Sequence, residues 1–459
     1  MESGQLQRRL GLVSAISITV GAVIGSGIFL KPLSVAQALP SEAWIHVMWI
    51  GLGVVCLFGA FAYAELGAMF PEAGGQYAFL RESWGRGVAF LYGWVFFWVI
   101  NSGTVAALAL AFADNLLPLC GVDIAAEAES PRLKLAVAAA MILVLATVNH
   151  FGVVIGALVQ NLSTFAKLAA LGLLVLGGFW VAGGGTAVAA VAAVPEAKTS
   201  WTIAGLVAAF TGIFWAYEGW YQLPFNAAEL KRPERNLPFG LIGGMVILIA
   251  VYVAVNAIYL HVVPFDEMRS IARDGNDAIV ASRTIERIFS PQLSQYLTLL
   301  IAVSVFGAAN PNMLSSPRAF YAMGKDGLVP AALTRVSPRW GTPTVAIWVQ
   351  AFVAVGIVIS LRGFHDVTAF VVFAGFLFYA LTVAAVYRLR RTRPELARPY
   401  RCTGYPLTPL LFIVVAIAFV AAMLRDDEKR INALYGLAIL ASGIPYYWWW
   451  TSRQKPLAA

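Results

Sequence analysis

Long apolar runs, separated by short charged or Pro/Gly-rich loops, recur along the whole chain. Each approaches the ~20 residues a helix needs to cross a bilayer, and none shows the ~10-residue alternation of a barrel strand. The pattern predicts twelve spans: about 12–36, 44–69, 87–117, 133–148, 154–181, 203–229 and 239–262, one centred on 304–310 that closes by 327, then 343–360, 367–387, 407–424 and 431–450. Two of them are interrupted. Val20-Gly21-Ala22-Val23-Ile24-Gly25-Ser26-Gly27-Ile28-Phe29 carries three glycines and a serine within span 1, and Phe214-Trp215-Ala216-Tyr217-Glu218-Gly219-Trp220 places an acid and a glycine in mid-span 6. A helix broken in hydrocarbon strands N–H and C=O groups at several kcal/mol each, unless they face protein or a water-filled cavity. The breaks therefore predict a binding site. The N–H groups of Ser26, Gly27 and Ile28 would open a half-helix whose positive dipole end attracts a carboxylate. A Gly-x-x-x-Gly packing face at Gly21 and Gly25 is the competing reading of the first break. Interruptions in the first span of each of two five-helix sets are the pattern of an inverted-repeat transporter with its site at the midplane. The repeat is inferred from the breaks, because the halves show no direct self-similarity.

Composition sharpens the class. With 60% hydrophobic and 12% charged residues, and a mean hydropathy of +0.75, a soluble protein of 459 residues is excluded. The net charge of +8 is divided among short alternate loops, which argues against nucleic-acid binding. Basic residues gather at Arg8 and Arg9, Arg81 and Arg86, Lys231 to Arg235, Lys325 to Arg339, Arg388 to Arg401, and Arg453 with Lys455. The positive-inside rule makes those loops cytoplasmic and puts both termini inside. The intervening loops hold acids: Asp123, Glu127, Glu129, Asp266, Glu267, Asp274 and Asp426 to Glu428. The head from Met1 to Arg9 lacks a small-residue cleavage site, so span 1 is expected to stay in the membrane. Cys56, Cys120 and Cys402 have neither metal nor redox spacing, and the four histidines are scattered, so no metal or cofactor is expected. A membrane enzyme would need a nucleophile–base pair or metal cluster in the spans, and none is visible.

Charges inside the spans need partners. Glu65, near the end of span 2, is read as a structural carboxylate that pairs or reaches interfacial water, ahead of a role in coupling. Lys167 has at least ten apolar residues after it, which puts it too deep to snorkel easily and points it into the bundle, with a lysine at the interface as the competing reading. Glu218 is costly at the midplane unless paired, protonated or facing a cationic substrate. The stretch 264–293 is expected to be partly helical, lying over the entrance, and the small residues of span 8 permit close helix approach.

Together the Val20–Phe29 stretch, Tyr63-Ala64-Glu65-Leu66 with Pro71 and Gly74-Gly75, Lys167, Ala216-Tyr217-Glu218-Gly219-Trp220, and Arg398-Pro399-Tyr400 with Pro406 resemble the amino acid-polyamine-organocation superfamily. Within it the L-type amino acid transporter family is the most similar. The resemblance covers nearly the whole chain. It implies an all-α polytopic membrane protein of the leucine-transporter fold, with 12 transmembrane helices. Helices 1 to 5 (11–183) and 6 to 10 (201–389) form the inverted repeat, helices 1 and 6 are broken, and 406–450 is appended. It also implies a substrate site at Val23, Ile24, Gly25, Ser26, Gly27, Trp215, Ala216, Tyr217, Glu218 and Gly219. Ser26 and Gly27 would take the carboxylate, the carbonyls of Val23, Trp215 and Glu218 the ammonium, and Trp215 would gate. Lys167 resembles the family lysine that occupies the place of a sodium ion and ties span 5 to spans 1 and 8, implying sodium independence. Ala308 replaces a frequent serine near that lysine, Tyr221 a frequent asparagine, and Glu218 a small residue of many neutral carriers. Eukaryotic members bond a heavy chain through an outer-loop cysteine, and Cys120 lies in that loop. The short tails favour a bacterial plasma-membrane carrier working alone, and disfavour a transporter-like nutrient sensor. The function expected is sodium-independent amino acid transport, with exchange of neutral or mixed L-amino acids ahead of a cationic or proton-coupled carrier.

Overall fold

A computed structural model describes residues 8–122, 132–181, 201–273, 279–289, 291–361 and 364–453. The acids Asp123, Glu127, Glu129 and Asp274, with Lys455, lie outside the described residues. Helices α1 (Leu12–Val23) and α2 (Gly27–Ala38) are bent by 41° across residues 24–26. They are followed by α3 (Glu42–Met69), the short α4 (Gln76–Trp84), α5 (Arg86–Cys120), α6 (Arg132–His150) and α7 (Val153–Trp180). Next come α8 (Ile203–Tyr217), a 3₁₀ stretch Trp220–Glu229, and α9 (Pro233–Val262). The segment beyond α9 holds α10 (Phe265–Arg273) and α11 (Ile279–Ile288), and α10 packs on α2. The last five helices are α12 (Pro291–Lys325), α13 (Thr344–Leu361), α14 (Phe364–Thr392), α15 (Leu407–Arg425) and α16 (Asp427–Ser452).

The protein is an all-α polytopic membrane protein. Among the described residues eight helices are long and apolar enough to cross a membrane, and nine spans result if the bent α1–α2 pair is one. The twelve expected segments are all helical, yet three fall short of that test. The sixth is split at its break, α13 is a shorter apolar helix, and α16 ends in the tyrosine- and tryptophan-rich run at 446–450, which lowers its hydropathy.

Burial is arranged as a bilayer requires, with large apolar side chains outward and charges inward. Along α7, Leu158, Leu162, Phe165, Leu173 and Leu176 are exposed, whereas Gln160, Ser163, Thr164 and Lys167 on the opposite face are buried. Glu65 is tied down as expected. Arg390 donates to both its carboxylate oxygens at 3.0 and 2.6 Å, the Cys402 backbone N–H adds a bond at 2.6 Å, and Arg398 stands 3.6 Å away. That cluster joins the end of α3 to α14 and the following loop. A second, wholly buried pair escaped the sequence reading: the Arg318 Nε–H donates to Glu229, and its Nη2 reaches the other carboxylate oxygen at 2.9 Å. It clamps α12 to the 3₁₀ stretch.

A candidate substrate site between two broken helices

The first break is built by its own carbonyls. Ile24 closes α1 through its N–H to Val20 O, and Ser26 begins the next segment by accepting from Leu30 N at 2.9 Å and Phe29 N at 3.2 Å. The carbonyls stranded between are claimed from other helices. Lys167 Nζ donates to Gly21 O at 3.0 Å and to Ile24 O at 2.6 Å. The hydroxyl of Ser304 on α12 adds a 3.3 Å bond to the same Ile24 O. Ala308 can make no such bond, so α12 contributes instead through Ser304, four residues earlier. Below the lysine, Gln160 and Thr164 both donate to Ser17 O at 3.2 Å.

The second break falls where α8 stops at Tyr217. Glu218 turns extended (φ −59°, ψ 140°) and Gly219 takes φ +106°. That conformation is open to glycine and costly for a residue with a Cβ. Space gives the same answer, since a Cβ at Gly219 would lie 2.9 Å from Ala22 O. The two breaks therefore touch. A Cβ at Gly27 would lie 2.4 Å from Ala216 Cα. Between them the Tyr252 hydroxyl of α9 lies 3.1 Å from Val23 O and 2.9 Å from Ala216 O. One hydroxyl carries one proton, so it serves only one of these carbonyls at a time.

A cavity of about 20 Å³ lies at the junction, room for about one water. Val23, Gly25, Ser26, Gly27, Trp215, Glu218 and Gly219 line it. Three expected site residues lie behind this lining. Ile24 gives its carbonyl to Lys167, Ala216 packs against Gly27, and the Tyr217 hydroxyl donates to Trp49 O at 3.1 Å. Ala22, Thr104, Leu108, Ala308 and Asn312 complete the wall, and the sequence reading named none of α5 among them. Trp215 Nε1 stands 3.4 Å from the Ser26 hydroxyl, linking the breaks across the cavity.

Glu218 is buried and held by two phenols, Tyr221 at 2.8 Å and Tyr379 at 2.7 Å, both donating to Oε1. Tyr221 and Glu218, two of the three departures from the family pattern, are thus partners. Asn312 is fixed from outside the cavity by a buried amide cluster. Gln222 Nε2 donates to Asn312 Oδ1 at 2.8 Å and to Asn101 Oδ1 at 3.0 Å, and Asn101 donates to Asn312 O at 2.7 Å. Asn101 closes a π-turn that α5 makes over Phe96–Asn101, a device common at functional sites.

A family model described as amino acid permease matches residues 10–444, almost the entire chain. The chain belongs to that family. The permease is 32% identical over 443 residues to the b(0,+)-type amino acid transporter 1 of Homo sapiens, covering 96% of this chain and 88% of that one. It is 28% identical over 458 residues to the serine/threonine exchanger SteT of Bacillus subtilis, covering 99% of both. The human cystine/glutamate transporter is 29% identical over 452 residues, at 97% and 86% coverage. These relatives carry the names of transporters, not enzymes. Amino acid transport is the activity of the permease, and the resemblance read from the motifs stands.

Proposed function

We propose that the permease exchanges neutral or mixed L-amino acids by alternating access, without sodium. The observation that carries this reading is the meeting of the two breaks at one cavity, bridged by Tyr252. Ser26 and Gly27, at the positive end of α2, take the substrate carboxylate. The carbonyls of Val23, Trp215 and Glu218 take the ammonium; each has two lone pairs, so a bond already accepted leaves capacity for another. Lys167 Nζ occupies the place a bound sodium would hold, because it already satisfies the carbonyls of the first break. A cavity of about 20 Å³ must widen before an amino acid enters, and Trp215 is placed to swing as the gate.

In this reading 11–183 and 201–389 are the inverted repeats and 406–450 the appended pair. The basic loops face the cytoplasm, both termini are inside, and the permease works in the inner (plasma) membrane without a heavy chain. The serine/threonine exchanger among its relatives favours neutral substrates. Glu218 on the cavity wall favours a second reading, in which cationic amino acids are carried or protons are coupled. An uptake panel of radiolabelled amino acids in proteoliposomes, with and without internal substrate and a pH gradient, separates them. Stimulation by internal neutral amino acids supports exchange, preference for arginine or lysine supports the second reading, and binding without uptake would mean a sensor.

A further inference from the structure

Away from the breaks, a groove of about 430 Å³ lies where the α6–α7 turn meets the loop before α13. Arg9 and Arg339 both line it, and among the described residues no acid does. The two loops are locked to each other, with Thr342 Oγ1 donating to His150 O at 2.9 Å and the rings of Phe151 and Trp340 meeting edge to face at 5.0 Å. The Arg339 guanidinium lies over Trp340, 4.5 Å from the ring centroid. Arg9 is anchored through its backbone, whose N–H donates to Glu229 O at 2.9 Å. Two cations and two aromatic rings thus stand together at the start of α7.

Val154 on the groove wall also begins the exposed stripe Val154, Ile155, Leu158, Leu162 and Phe165 on α7. At 1.5 Å per residue that stripe climbs about 16 Å, close to one leaflet of a hydrocarbon core ~30 Å thick. A basic, aromatic-rimmed pocket joined to an apolar track of one leaflet's depth matches an amphiphile with an anionic head. The geometry points to a binding site for an anionic phospholipid, its phosphate between Arg9 and Arg339 and an acyl chain laid along Val154 to Phe165. Free phosphate would use only the two arginines, whereas the lipid uses the stripe as well.

The test is native mass spectrometry of the delipidated full-length permease titrated with phosphatidylglycerol or phosphatidylcholine of matched chains. The wild type should retain phosphatidylglycerol preferentially. Each of Arg9→Gln and Arg339→Gln should weaken retention about fivefold, while Arg453→Gln leaves it unchanged. Excess inorganic phosphate should fail to displace the lipid. Equal retention of the two lipids by the wild type overturns the site, and that comparison needs no variant to fold. Unchanged retention in a monodisperse Arg9→Gln/Arg339→Gln protein overturns it too, and displacement by inorganic phosphate overturns the lipid as occupant.

Discussion

Replacing Lys167 with alanine removes the donor that holds the first break together. Its Nζ bonds, at 3.0 Å to Gly21 O and 2.6 Å to Ile24 O, would be lost at a buried position. Ser304 covers only Ile24 O, at 3.3 Å, so Gly21 O would be left bare. A stranded acceptor costs about 1–3 kcal/mol, so the variant loses about that much from the geometry of the break. Even the lower end is about fivefold in the population of the binding-competent form. Initial uptake rates in proteoliposomes should therefore fall at least about fivefold at subsaturating substrate. Lys167→Met separates packing from donation, because it keeps the stem and loses the donor. Methionine should behave like alanine in transport while restoring much of the melting temperature. Full uptake in either variant, at equal reconstituted protein, would refute the role given to the lysine.

Three further outcomes follow from the same geometry. Gly27→Ala puts a methyl 2.4 Å from backbone at Ala216, so substrate binding measured by scintillation proximity should vanish in a protein that still elutes monodisperse; retained affinity would show that the breaks need not touch. Glu218→Gln should lower arginine or lysine uptake about ten- to a hundredfold relative to alanine or serine, the worth of a hydrogen bond to a charged group; an unaltered substrate profile and pH dependence would remove Glu218 from selectivity. Arg318→Met leaves the buried Glu229 carboxylate uncompensated, at about 3–5 kcal/mol; the melting temperature should drop sharply and recover in part with Glu229→Gln added, whereas an unchanged melting curve would deny the clamp any stabilising part.

Glycine and charge in apolar surroundings were the legible signals, because both are costly in a membrane and so mark deliberate structure. The breaks at residues 24–26 and 218–219 fall where the sequence put them, as does the inward turn of Lys167. Glu65 was legible as a paired carboxylate, but its partners Arg390 and Arg398 come from over three hundred residues away, a distance no local pattern spans. Tyr252, Tyr379 and Asn312 were missed for a related reason: each sits in an unbroken helix at a position where an apolar side chain would look equally natural. Tyr217 misled because an aromatic beside a break reads as pocket lining, whereas the helix turn aims it at Trp49. The π-turn that ends at Asn101 leaves no compositional trace in Phe96–Asn101.

Sodium-free uptake tests the central claim most directly, namely that a lysine-supported pair of helix breaks forms the transport site. Wild-type protein in liposomes should take up radiolabelled amino acid at the same rate in choline as in sodium buffer. That rate should rise when unlabelled amino acid is loaded inside. Uptake that appears only when sodium is present would contradict the account, because the place assigned to Lys167 Nζ would then belong to an ion.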